Sequence, residues 1–443
     1  MHAISAMSPR CVLFIAAVVS AAGCRPASDI SSSMDDYGKL PGLRASADPR
    51  LREELARVEE TGGTPEALQE PLVEEGQNAA VLLESIFSSR RLAGLKEQSD
   101  GLFPTIGFEF NPLHFEKVLA FRDDHAESLE RCREVLSRES RGFGIDHTRG
   151  FGNDLDFVDR VRLCARLEAF DAADQLHARK DLDAAMENIE RMLHWAALLA
   201  AEKNVYTRGE AAAMREEIAS VIVETAHSPD AAPRHTAELA KLVLDALEGW
   251  TPDAHAWIGD RAAVLHSYEA IRDGKITRFL TVDEIDALAR ERSLFDLSKA
   301  LERSVDSDEL FYLQAARRLI DLCGQPYFKR RRAFAEIEME AERLRGGKDY
   351  PLAAMLLFLK DVESGHLLQA HDRALYEALY LALSHAAGKT SDRFRVSPLS
   401  GKPYRVRRDG ALVVVDGFGP DADGTFSVEV PAQVDQTMKK ERF

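Results

Sequence analysis

Apolar residues recur along most of the chain at steps of three and four. Leu163, Leu167, Phe170 and Ala173 form one such series, and Ala185, Ile189, Met192, Ala196 and Leu199 form the next. That spacing lines up one face of an α-helix, and the short polar link Arg179-Lys180-Asp181 predicts an antiparallel helical hairpin. A second hairpin is predicted from Phe334, Ile337, Ala341 and Leu344, across Gly346-Gly347-Lys348-Asp349, to Leu352, Met355 and Leu359. The helical pattern holds over residues 49–388, with Thr64 as cap and Pro65 in the first turn of an early helix. One loop interrupts it. Arg141-Gly142-Phe143-Gly144 recurs as Arg149-Gly150-Phe151-Gly152, glycine-rich enough to exclude a helix, and leads into a helix near Phe157.

After residue 388 the period changes. Pro403 to Arg408, the Asp409-Gly410 turn and Ala411 to Asp416 read as a β-hairpin, since Asp-Gly supplies the backbone angles of a tight turn. Phe426, Val428 and Val430 alternate as a third strand. So small a sheet needs a partner, and the helix carrying Leu375, Leu379 and Leu383 is the expected one. The fold class is therefore mainly α: an irregular, repeat-like domain of helical hairpins over 49–388, a small β module over 389–433, and a polar tail at 434–443.

The N-terminal pattern is different again. A short apolar run, Cys11 to Ala22, follows His2 and Arg10 and ends in Ala21-Ala22-Gly23-Cys24. It is about half the ~20 residues of a membrane-spanning helix, and a small-residue exit completes the form of an export leader. The cysteine at the exit resembles a bacterial lipoprotein leader, which implies cleavage after residue 23 and lipid on Cys24. Ala21 stands where such leaders carry a larger aliphatic residue, and Val19-Ser20-Ala21 also suits ordinary cleavage. Residues 24–48, rich in Ser, Asp, Pro and Gly, are expected to be a flexible tether.

Composition narrows the partners. The formal charge of −17 over 443 residues argues against broad nucleic-acid binding, which needs phosphate neutralisation, and against polybasic adhesion to anionic membranes. Membrane association is thus expected through the lipid anchor only. Of the five cysteines, Cys11 leaves with the leader and Cys24 is the lipid site. Cys132, Cys164 and Cys323 remain: either Cys132 and Cys164 form a disulfide that clips the loop between them, or all three are buried thiols.

Candidate chemistry is sparse. Asp416, Asp421 and Asp423 offer hard oxygens for calcium, against the alternative of a solvated Asp/Gly turn. Asp146, His147, Asp154 and Asp156 crowd the glycine loop as a metal or acid–base cluster, or as polar caps for the next helix. Trp250, His255 and Trp257 bracket a turn that would stack on sugars if exposed, and would anchor packing if not. The run Lys329-Arg330-Arg331-Arg332 precedes Glu336, Glu338, Glu340 and Glu342 and reads as a self-neutralised helix face, with Arg332–Glu336 at i,i+4. No GxSxG, P-loop or HExxH occurs, so no catalytic residue is assigned.

Several stretches together resemble a group of uncharacterised exported proteins common in planctomycete-type bacteria: Asn78-Ala79-Ala80, the Phe143–Asp156 loop, the Arg160–Ala201 pair, Gly259-Asp260-Arg261-Ala262 and Gly401-Lys402-Pro403-Tyr404-Arg405. That group implies no particular activity. The turns Lys180-Asp181-Leu182 and Lys348-Asp349-Tyr350, each followed by Ala-Ala, resemble tetratricopeptide hairpins, without a fixed repeat period. The C-terminal module resembles the head of type II secretion pseudopilins, with its Pro-x-x-Gly-x-Pro-Tyr turn, hairpin and Gly-Pro-Asp-Ala-Asp-Gly loop; that resemblance implies calcium in the last loop. Ser397 replaces the Asp those heads carry, and fibre assembly is not implied. The functional expectation is a non-enzymatic, envelope-anchored scaffold that binds protein through its helical surface. The competing class is an envelope hydrolase or glycan-processing enzyme with a site assembled from distant residues.

Overall fold

The computed structural model describes residues 48–69, 78–103, 112–138, 142–274, 294–347, 349–419 and 425–432. Cys24, the leader, the tether and the tail lie outside them. The chain is mainly α-helical and ends in a small antiparallel sheet, as the hydrophobic periods predict. Among the described residues no helix is long and apolar enough to cross a membrane.

The first helices form an apron. They are α1 (Pro49–Glu60), the single turn α2 (Pro65–Leu68), α3 (Ala79–Ile86), α4 (Ser89–Leu102), α5 (Pro112–Asp124) and α6 (Ala126–Leu136). Their starts follow the capping signals: Thr64 Oγ1 accepts from Ala67 N, and Asn78 Oδ1 accepts from Ala80 N at 2.9 Å. The glycine loop then leads through a short 3₁₀ stretch into α7 (Asp156–Asp174).

The predicted first hairpin forms. α7 packs along α8 (Leu182–Ala201), joined by a π turn over Gln175–Arg179 and by Lys180, whose φ of 60° reverses the chain. Asp181 Oδ1 caps α8 by accepting from Ala184 N at 3.0 Å. The α7 stripe is wider than its sequence pattern indicated, because α3 to α6 and α8 cover it on several sides. Even Glu168 is fully buried there, accepting from Arg133 Nε and Nη2 at 2.9 Å each and from Arg191 Nε at 3.2 Å. Beside this network Cys132 of α6 is bonded to Cys164 of α7, with Cα atoms 5.8 Å apart. Cys323 is a free, buried thiol.

The second half is built on α9 (Val205–His227), α10 (Pro233–Glu248), α11 (Asp253–Arg272), α12 (Leu294–Leu322), α13 (Tyr327–Leu344) and α14 (Val362–Ala386). The second predicted hairpin forms only in part. After α13 the chain makes only a short turn over Leu352–Phe358, ending as a π turn, before α14 begins. Asp308 of α12 pins that turn, accepting from Ala353 N and Ala354 N at 2.9 Å each and from the Tyr268 hydroxyl at 2.7 Å. The wide Leu359 N to Ala354 O bond then ends it. The Asp308 carboxylate thus caps the start of the segment, and the π register closes it.

Close approach between layers depends on Gly259 of α11. A Cβ there would overlap the backbone carbonyl of Lys203, in the α8–α9 link. Gly259→Ala is therefore expected to destabilise by about 2–3 kcal/mol, although Gly to Ala inside an unobstructed helix normally stabilises by about 1 kcal/mol. A denaturant titration showing a gain would contradict this packing.

The β module consists of β1 (Arg405–Asp409), β2 (Leu412–Phe418) and β3 (Thr425–Pro431), in that spatial order and antiparallel. Asp409 pairs with Leu412, so the hairpin loop is Gly410-Ala411, one residue later than the Asp-Gly reading. Only Gly410 has positive φ, 59°, the pattern of a II′-type turn. Val413, Val415, Val428 and Val430 are buried as the sheet packs against α14, the expected helix. Tyr404 ties the module down, its hydroxyl donating to Ala374 O at 3.2 Å and lying 3.1 Å from Glu377 Oε2.

Candidate functional site

Chemistry-bearing side chains converge where α9, α11, α13 and α14 meet, around Trp257. The Trp257 ring is buried, stacks on His366 with centroids 4.4 Å apart, and donates Nε1–H to Gln369 Oε1 at 2.9 Å. Behind His366 lies Arg330. It donates to His366 Nδ1 at 3.1 Å, to Asp253 Oδ2 at 3.0 Å, and to the carbonyls of Cys323 and Gln325 at 2.6 Å each. That geometry leaves the His366 proton on Nε2. Arg208 reaches the other Asp253 oxygen at 3.4 Å. Further along, Asp372 accepts from Arg215 Nη1 at 2.7 Å, and the Arg215 guanidinium lies 4.2 Å from the Trp250 ring centroid.

Burial governs the protonation of this cluster. It pushes the Cys323 thiol up to about 12, so the sulfur stays protonated and poorly nucleophilic. It pushes His366 down to about 3, with the Arg330 charge adding to the effect, so the imidazole stays neutral. Burial also raises the Asp372 carboxyl, against the pull of Arg215 and Arg208, and lowers Arg208. The Cys323 thiol and the His366 imidazole thus stay neutral near pH 7 and serve the packing of the helices.

On the opposite side Trp257 lines a small cavity with Asp260, Tyr312, Leu319, Leu359 and Val362. It has room for about one water molecule. Burial against these apolar walls raises the Asp260 carboxyl to about 7. The native state therefore keeps this proton to higher pH than the unfolded chain does, and stability falls as pH rises through about 4 to 7. Asp260→Asn removes that loss. It should raise stability by about 1–2 kcal/mol at pH 8 and leave it unchanged at pH 4, read from melting temperature against pH. An equal gain at both pH values would contradict it.

Asp416 lies in β2, its carboxylate accepting from Arg407 Nε at 3.2 Å and from Ser427 Oγ at 2.8 Å. Asp421 and Asp423 lie outside the described residues. Among the described residues no group of three His, Cys, Asp or Glu is arranged to hold a metal.

The glycine-loop cluster resolves into local structure. Asp146 Oδ1 accepts from Thr148 N at 3.0 Å, Asp154 Oδ1 accepts from Asp156 N at 2.9 Å, and His147 is buried with its pKa lowered by burial. Trp257 is buried and Trp250 is partly buried against Arg215 and Tyr376, the packing alternative, while His255 is exposed. The basic run needs correction too: Arg332 does pair with Glu336 at 2.6 Å, but Arg330 is a buried hub rather than part of a solvated face.

Asp260, Asp253, His366 and Asp372 were missed from sequence. The available signal was a charged residue on an apolar stripe. Arg208 and Arg215 stand seven residues apart on the face of α9 that also carries Ala211, Ala212 and Ile218. Comparison of the chain with family models, with curated proteins and with solved structures finds no match.

Proposed function

We propose that this protein is an exported, lipid-anchored scaffold that holds a rigid helical body at the cell envelope and binds protein partners through its helical surface. The observation that carries the reading is how the chemically capable side chains are used. Arg330, Asp253, His366, Cys323 and Asp372 are spent on one another inside the helical packing, and the adjoining cavity admits little more than a water. The Cys132–Cys164 bridge supports export, since disulfides persist in oxidising compartments. The apolar run ending at Cys24 supports the lipid anchor.

Cross-linking in intact cells, followed by purification from the membrane fraction, is expected to return a reproducible partner. Cys24→Ser should release the mature protein from that fraction with the lipid mass lost. The competing enzyme reading draws on Asp260, a carboxyl that burial raises to about 7 at the wall of the small cavity. Turnover of a wall substrate that is lost in Asp260→Asn, with no stable partner recovered, would overturn the scaffold reading.

A further inference from the structure

The β module carries a surface that the helical body does not explain. In a chain of charge −17, the segment through β1 is basic: Arg395, Lys402, Arg405, Arg407 and Arg408 lie within fourteen residues. Arg407 is paired with Asp409 at 3.1 Å and with Asp416 at 3.2 Å, and Arg395 with Asp392 at 2.7 Å. Arg405 and Arg408 are exposed and have no ion-pair partner among the described residues. Apolar groups are interleaved with them. Val396 and Val406 are exposed, and so is Phe328 of α13, which lies against the Gly401 turn so closely that an added Cβ would stand 2.9 Å from its ring.

β1 is also an edge. Its register sets Arg405, Arg407 and Asp409 opposite Asp416, Val414 and Leu412. A two-residue loop makes Asp409–Leu412 a hydrogen-bonded pair, so alternation turns the N–H and C=O of Arg407 and Arg405 into β2 and those of Val406 and Arg408 outward. Among the described residues no backbone group pairs with Val406 or Arg408; pairing on this side stops at Tyr404, whose N–H donates to Arg395 O at 3.3 Å. Arginines on an edge discourage pairing with neutral strands. The same arginines favour a strand that brings carboxylates.

We propose that the outer edge of β1 binds an extended acidic peptide of a partner protein by strand addition. The peptide runs antiparallel to β1 and bonds through its backbone to Val406 and Arg408; one carboxylate meets Arg405 on one face of the sheet, and on the other face an apolar side chain packs on Val406 beside a carboxylate that meets Arg408. Charge complementarity selects the acidic partner, and the outward backbone groups select a strand over a helix or a lipid surface. This reading goes beyond the helical-surface scaffold, and either can fail while the other stands.

The test uses the mature protein and the end-blocked heptapeptide Ser-Glu-Thr-Val-Glu-Thr-Ser, which paired antiparallel sets Glu, Val and Glu opposite Arg408, Val406 and Arg405, followed by calorimetry and amide hydrogen exchange. Binding is expected to weaken as salt rises and to slow exchange at Val406 and Arg408. Val406→Pro removes an outward donor without touching the β1–β2 bonds, and Arg405→Glu with Arg408→Glu reverses the charge. Each should lower affinity at least about tenfold, with circular dichroism unchanged. No binding, or binding that Val406→Pro leaves intact, would overturn the proposal. So would anionic phosphatidylglycerol vesicles binding as well as the peptide with no protection of the two amides, which would mark a lipid-binding face instead.

Discussion

Replacing Cys132 and Cys164 together by alanine should lower the unfolding free energy by about 3–4 kcal/mol and the melting temperature by roughly 5–10 °C. The bridge closes a chain separation of 32 residues, and most of its effect comes from restricting the unfolded ensemble. The loop it closes is the glycine-rich one, which has little periodic structure of its own to limit that ensemble. Both cysteines are completely buried, so alanine also leaves two small voids beside the Arg133–Glu168–Arg191 network. Cys323→Ala is the control and should cost far less. A double variant that melts with the parent protein would show that the packing of α6 on α7 is set without the bridge.

Asp372→Ala should be about as damaging, at roughly 3–5 kcal/mol, because it strands the buried charges of Arg215 and Arg208. The Arg215–Asp372 bond at 2.7 Å is the shortest contact Asp372 makes, and Arg208 Nη1 lies 4.0 Å away. The informative measurement is a cycle with Arg215→Met and Asp372→Leu. Removing both members of the pair leaves an apolar contact on Trp250, so the double variant should be more stable than Asp372→Ala alone. Additive losses would mean that the two side chains act independently and that the pair does not join α9 to α14.

The sequence made the helical stripes, the first hairpin and the strand order of the β module legible, because each rests on a local period. It was less informative where a distant group intervened. The stripe from Leu352 to Leu359 satisfies helical spacing, yet the helical segment ends at Phe358 in a π turn, and the Asp308 carboxylate that caps its first amides lies more than forty residues earlier in the chain. Arg330 sits in a basic run that reads as solvated, and only the arrival of Asp253 and His366 makes its burial tolerable. Trp257 shows the same limit. Its place beside a turn allowed either a sugar contact or packing, and the stacking on His366 that buries it joins two helices more than a hundred residues apart. The Cys132–Cys164 pairing was one of two open readings, since spacing alone does not bring two helices together.

The central claim, an exported body held at the envelope, is tested most directly by mass spectrometry of the protein isolated from its native cells, alkylated before and after reduction. The account predicts an N-terminus at Cys24 carrying lipid, a linked Cys132–Cys164 peptide pair and one free thiol at Cys323. A chain that retains residues 1–23 and carries Cys132 and Cys164 as free thiols would contradict it.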